Sequence, residues 1–324
     1  MKKIFLASFC FAFLQAFAFE QTFTVAQDGS GCFLSLKEAL DRIPYHPADD
    51  ETVCIIVKSG IYKEKLVIHE HQNNVIVMGE NAENTIIVWD DHTGKVVNGD
   101  TLNTYSSPTL SIRSDNVIFK NITIQNTWCG VGQAVACETR GDKIAFYNVR
   151  MLGCQDTYYS KGAVSRVYFK NCYIEGTTDF IFGPSIALFE DCRIYCKKNS
   201  YITAASTTER NKYGYVFQNC KITASPEINK LYLGRPWHSF AKTVLMQCEL
   251  DAPIAPEGWH HWIPERELTA YYAEYQCFGE GADTSKRVAW SHQLTDEEAK
   301  EYTKAQIFSK NTVSEPFYQD WLPE

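Results

Sequence analysis

Six short segments of the 324-residue chain share one pattern, an apolar residue, any residue, then a small or amide residue. They are Phe119-Lys120-Asn121, Phe146-Tyr147-Asn148, Phe169-Lys170-Asn171, Phe189-Glu190-Asp191, Phe217-Gln218-Asn219 and Leu245-Met246-Gln247. Their first residues are spaced by 27, 23, 20, 28 and 28 positions, and the alternating β-branched and aromatic residues that follow favour strand over helix. A unit this short cannot bury an apolar face alone, so successive units must stack. The predicted fold is all-β, a single-stranded parallel β-helix whose residues of equal phase stand about 4.8 Å apart on neighbouring coils.

Two acids share a phase. Residues 147–159 and 170–182 align without a gap, placing Asn148 on Asn171, Gly153 on Gly176 and Asp156 on Asp179. Two carboxylates on adjacent rungs of one face repel, and in a site sheltered from water one must hold its proton more tightly than the other. Gln133-Ala134-Val135-Ala136 can be laid over residues 156–159, which sets Gln133 one coil below Asp156. Downstream, Leu233-Gly234-Arg235-Pro236-Trp237 ends a strand on the same side, so the Arg235 cation is expected beside the two acids.

The start of the chain reads as an export signal over residues 1–18: Lys2 and Lys3, an apolar run, then Ala16-Phe17-Ala18 as a cleavage site. Residues 19–324 are then one elongated catalytic domain, and no other apolar run approaches the length of a membrane span. The net charge of −8 and the absence of a basic cluster argue against nucleic acid as a partner. No ligand set of metal spacing appears, so neither metal nor cofactor is expected. Twelve cysteines become eleven once Cys10 leaves with the signal. Cys172, Cys192, Cys220 and Cys248 each follow the repeat's amide or acid position. Neighbouring coils bring such residues within disulfide range, and Cys172 with Cys192, on the shortest coil, is the expected bridge. For Cys220 and Cys248, pairing and the filling of the interior as free thiols stay equally open.

Further along the chain, Ser35 with Glu38 opens a helix to about Ile43 that plugs the solenoid's end. A strand is expected over 52–57, then a turn over 60–64, and a polar excursion at about 90–107 should lie on the surface. The Asn121-Ile122-Thr123 sequon is discounted, because Asn121 occupies a ladder position expected to be buried, with the amides of this phase serving backbone groups at the coil corners where the chain turns. Thr295 with Glu298 opens a second helix, to about Phe308, packed outside the solenoid.

The motifs Asp28-Gly29-Ser30-Gly31, Gly60-x-Tyr62-x-Glu64, Gln133-Ala134-Val135-Ala136, Gln155-Asp156-Thr157, Asp179-Phe180-Ile181-Phe182-Gly183, Leu233-Gly234-Arg235-Pro236-Trp237 and Tyr272-Ala273-Glu274-Tyr275 occur in this order. Together they resemble the pectin methylesterases (pectinesterases), carbohydrate esterases built as right-handed parallel β-helices. Tyr158, where that family commonly has leucine, and Cys137, where it has an aliphatic residue, depart from the pattern without replacing a chemical group. The resemblance implies hydrolysis of the C6 methyl esters of galacturonate units in pectin (homogalacturonan), by a secreted monomer with no metal. It implies Asp179 as nucleophile, Asp156 as general acid and then base, Gln133 and Gln155 as oxyanion donors, and Arg235 as the partner that keeps Asp179 ionised with a lowered pKa. Trp237, Tyr159, Phe182 and Thr109 match positions that contact the sugar.

Other readings are weaker on the residues. Paired carboxylates about 5 Å apart would also suit a retaining glycosidase, but no histidine in the chain precedes a glycine, as the β-helix polygalacturonases would require. A pectate lyase would want an acidic calcium cluster. The complete set of acids, amides and arginine speaks against an inert pectin-binding module. Gly183-Pro184-Ser185-Ile186-Ala187 lacks the last glycine of a serine-hydrolase elbow and its strand-to-helix setting.

Overall fold

The computed structural model describes residues 21–43, 51–313 and 318–324; the expected signal over 1–18 lies outside them. Three parallel sheets of 11, 8 and 7 strands run along the described chain, and the central coils contribute one strand to each in turn, as a parallel β-helix requires. In the central coils the first sheet takes Ile144–Tyr147, Arg166–Lys170 and Ile186–Glu190, the second Arg150–Leu152, Tyr173–Gly176 and Arg193–Cys196, and the third Tyr158–Ser160, Ile181–Gly183 and Tyr201–Ala205. The register is the one the repeat implies: Phe119, Phe146, Phe169, Phe189, Phe217 and Leu245 are successive Cα partners. Their side chains point inward as a column, with ring centroids 4.8, 4.5 and 4.4 Å apart from Phe146 to Phe217. Tyr158 joins this column, fully buried, its ring edge-on to Phe169 and its hydroxyl 2.9 Å from that of Thr139.

The repeat's third residue stands at the coil corner, as expected, but is selected there by backbone conformation rather than by bonding buried backbone groups. Asn121, Asn148, Asn171, Asp191, Asn219 and Gln247 all have φ between 52° and 55°. They form the corner between the first and second sheets, where the chain must enter the left-handed region and short amides and acids are tolerated. Asn121 is half-buried and the other five corner residues are exposed, so conformation rather than burial selects the amide. Asn148 donates from Nδ2 to Asn121 Oδ1 at 2.8 Å, one coil to the next.

Cys172 and Cys192 are both free, which corrects the expected bridge. Side chains of equal phase run parallel into the interior rather than toward each other, and each thiol instead donates to a carbonyl, Cys172 to Phe146 O at 3.4 Å and Cys192 to Phe169 O at 3.6 Å. Cys220 and Cys248 repeat this as buried free thiols. The disulfide joins Cys129 to Cys154, Cα atoms 5.2 Å apart, tying the loop before Gln133 to the segment before Gln155.

The ends also differ in detail. α1 (Leu36–Asp41) is capped by Ser35, which accepts from Glu38 N, while Glu38 turns to Leu34 N, so only half of the expected box forms. Gly60–Lys63, expected as a turn, is a strand of the second sheet paired with Thr85–Trp89. The expected C-terminal helix is two, α2 (Asp296–Ala299) and α3 (Lys304–Ile307), because Thr303 with Gln306 makes a further capping box that restarts the chain. Ile307 and Phe308 pack outside the first sheet against Tyr168, Leu188 and Val216, the side expected.

The aromatic column carries a direct consequence. Phe189 is fully buried between Phe169 and Phe217, so Phe189→Ala should cost about 3–5 kcal/mol. Urea unfolding monitored by circular dichroism measures this; a loss below about 1 kcal/mol would mean that the column is not the packed core.

Candidate active site

The third sheet presents an outward face, and its strands begin where the two acids sit. Asp156 N donates to Thr178 O and Asp179 N to Tyr201 O, while Tyr158 pairs with Ile181 and Tyr159 with Phe182. Asp156 and Asp179 therefore stand on adjacent coils at one phase, as the sequence implies. Both occupy the left-handed region, with φ of 67° and 48°. Each acid thus turns the chain into the third sheet as the asparagines turn it into the second, and aspartate is among the few residues that do so at low cost.

The acids line a cleft of about 250 Å³ together with Gln133, Gln155, Phe182, Arg235, Trp237 and Trp262. Arg235 grips Asp179 with two parallel bonds, Nε to Oδ1 at 3.0 Å and Nη2 to Oδ2 at 2.6 Å. Its guanidinium lies 3.8 Å from the Tyr201 ring centre and 3.7 Å from that of Trp262, so the fork is fixed by stacking as well as by charge.

Both acids are buried, Asp156 7% and Asp179 6% exposed. Burial pushes the Asp156 carboxyl well above the usual aspartate range and the Asp179 charge adds to this, against the pull of Arg235 and a bond from Gln155. Burial also raises Asp179, and Arg235 only limits the rise. The expectation of a lowered Asp179 pKa is therefore corrected: desolvation outweighs the ion pair. The order of the two survives, because only Asp179 has the cation in bidentate contact.

Gln133 reaches the cleft, but by a different register. Ala134 N donates to Gln155 O at 3.1 Å, which sets Ala134 rather than Gln133 opposite Asp156. Downstream, Cys137 is the partner of Tyr158, so residues 133–136 do not lie over 156–159. The Gln133 carbonyl accepts from Thr93 N at 2.9 Å, so the excursion at 90–107 supports this side of the site.

Of the expected sugar contacts, Phe182 and Trp237 line the cleft. Tyr159 stacks flat on Phe182 with centroids 4.3 Å apart and stands edge-on to Trp237. Thr109 does not belong to this face: it is fully buried and its hydroxyl donates to Gln125 O at 3.0 Å, which corrects its assignment. Trp262 and Tyr105 were not singled out from the sequence. Trp262 lies in the segment His260-His261-Trp262, which has no repeat phase, and Tyr105 in the polar excursion; the one available signal was a large aromatic in an otherwise polar loop. Among the described residues no cluster of three or more histidine, cysteine, aspartate or glutamate side chains could hold a metal.

The family model for pectinesterase matches residues 22–311. The chain is 38% identical to pectinesterase 31 of Arabidopsis thaliana over 283 residues, 85% of this chain and 88% of that one. Among solved structures, pectin methylesterase from carrot superposes with a TM-score of 0.80 at 32% identity, covering 88% of this chain and 92% of the other. A pectin methylesterase in complex with a hexasaccharide superposes with a TM-score of 0.79 at 27% identity, covering 95% and 100%. With the match of the family model running nearly end to end, the chain belongs to the pectinesterase family.

Proposed function

We propose that residues 19–324 act as one exported, monomeric catalytic unit on methyl-esterified homogalacturonan, with each cleft residue in a distinct role. Pectinesterases are carboxylic ester hydrolases that remove the methyl groups of pectin. The observation that carries the assignment of roles is the bidentate pair of Arg235 with Asp179, one coil from Asp156 in the same cleft. The hexasaccharide bound by the structural relative supports a sugar polymer as the occupant. The signal-like pattern at 1–18 supports export, and no described helix is long and apolar enough to cross a membrane.

In this reading Arg235 keeps Asp179 the more acidic of the two, so it attacks as a carboxylate. An Asp179 oxygen adds to the C6 carbonyl carbon, and the oxyanion accepts from the Gln133 and Gln155 side-chain amides, donors worth about 3–4 kcal/mol each at comparable sites. Asp156, kept protonated by burial and by its anionic neighbour, gives its proton to the departing methanol. The acyl bond to Asp179 is then cleaved by a water that gives a proton back to Asp156. The sugar is freed as its C6 carboxylic acid, which loses its proton to solvent, and Asp179 and Asp156 return to their starting states. Phe182 and Trp237 offer apolar surface to the sugar, with Tyr159 stacked on Phe182 to hold it in place.

The purified chain should release methanol from methylated pectin without new reducing ends; reducing ends formed before methanol would replace the esterase with a glycosidase. Asp179→Asn should lower kcat by at least about 10³-fold, as loss of a nucleophile does elsewhere, and retention of a tenth of the activity would remove it from that role. Arg235→Lys breaks the fork and the stacking together, so the acidic limb of the kcat profile should move up in pH; an unmoved limb would show that Arg235 does not set the ionisation of Asp179.

The raised Asp156 pKa also bears on stability. Between its unfolded and folded values the native state binds more protons, so this group weakens the fold as pH rises through that window and not below it. Asp156→Asn should therefore raise Tm at neutral pH by a few degrees and leave it unchanged near pH 3. Equal shifts at both pH values would mean that ionisation is not the cause.

A further inference from the structure

The outward residues of the third sheet form rows along the solenoid. The pairings Ser111 with Glu138, Glu138 with Tyr159, Tyr159 with Phe182 and Phe182 with Ala204 define one row. Side chains alternate along a strand, so the next outward row holds Arg113, Arg140 and Lys161 on three successive coils. By the same register it reaches Trp237 three coils beyond Lys161: Thr203 pairs with Gly234, and Trp237 N donates to Ala205 O. Three cations thus lead along one row to the aromatic wall of the cleft.

The three are not equivalent. Arg140 Nε is tied to the buried Glu138, whose Oε1 also accepts from Ser111 Oγ at 3.0 Å. Arg113 approaches Glu70 at 3.9 Å. Lys161 has no carboxylate partner among the described residues. Its ammonium is 4.6 Å from the Tyr105 ring centre and 5.9 Å from that of Tyr159, and Tyr105 itself lines the cleft. Burial works against the charged form of this lysine, and Arg140 and Arg113 add to that, with only Glu138 opposing. A half-buried ammonium set among aromatic rings without a counter-ion is a position that an incoming anion stabilises.

The reaction makes such an anion. Each turnover turns a neutral ester into a carboxylate on a polymer that stays near the site, while the chain as a whole carries a net charge of −8 and repels that polymer at long range. We propose that Lys161 is an anion-binding position for the free carboxylate of an already demethylated galacturonate near the ester in the cleft. Arg140 and Arg113 extend the favourable field along the same row. This rests on the esterase reading of the cleft.

The test compares methanol release from fully methylated and from partly demethylated homogalacturonan at low ionic strength, in the wild type, Lys161→Gln and Lys161→Arg. The readout is the ratio of kcat/KM on the partly demethylated polymer to that on the fully methylated one. Lys161→Gln should lower this ratio by about fivefold through KM, as for a partly shielded charge pair, and Lys161→Arg should restore most of it. The wild-type ratio should also fall as salt is raised. Lys300→Gln, which alters an exposed pair with Glu297 on the C-terminal helices, serves as control and should keep the wild-type ratio. An unchanged ratio in Lys161→Gln, or an equal loss on both polymers from disturbed packing of Tyr105 and Tyr159, would overturn the proposal. Absence of methanol from every polymer with the wild type would instead overturn the esterase reading.

Discussion

Parallel stacking in strict register is the constraint on which everything else in this molecule depends. Each coil must hand its backbone groups to the coils on either side, so a residue's phase decides whether it enters the interior, turns a corner or faces solvent. The phenylalanine column follows from this on the inside, with Phe169, Phe189 and Phe217 in stacked contact. The corner amides follow from it at the edge, and Asp156 and Asp179 on the outside. A parallel ladder tolerates a repeat of 20 to 28 residues, and a longer coil before Phe119, because extra length leaves the coil as loop, as at 90–107, without disturbing the phase on either side.

The acids gain their chemistry from the same geometry. Neighbouring coils bring them together whatever their mutual repulsion, and burial then works against both charges. Arg235 resolves the conflict for only one of them, through a fork stacked between Tyr201 and Trp262. The outcome is an unequal pair rather than an ionised one. Without the arginine, two similar acids would share one proton with no fixed owner, and attack and proton donation would have no settled assignment.

How much of this could be read from the chain depends on whether a feature obeys the repeat. The strand phase, the pairing of Asp156 with Asp179 and the position of Arg235 were legible because each recurs at, or is anchored to, a fixed interval. The Cys172 pairing failed for a related reason: equal phase gives proximity but makes side chains parallel, and a disulfide needs them to converge. Cys129 and Cys154, which do bridge, sit at unlike phases beside a loop. Gln133 was placed one position off because the loop ahead of it erases the count. Trp262 and Tyr105 belong to segments outside the repeat, so only folding brings them to the cleft. Thr109 was matched to a sugar-contacting position through the resemblance alone, but its phase turns it inward to Gln125. The direction of the Asp179 shift depends on the depth of burial, which no spacing reports.

The claim that binds fold to function is that the two acids differ in proton affinity, with Asp156 the holder. Carbon-13 NMR titration of labelled aspartate side chains, assigned with Asp156→Asn and Asp179→Asn, observes this in the free protein. The account expects Asp179 to ionise first, Asp156 to keep its proton to a distinctly higher pH, and the Asp156 midpoint to fall once Asp179 is replaced. Titration of both acids together in the ordinary aspartate range, or ionisation of Asp156 before Asp179, would contradict it.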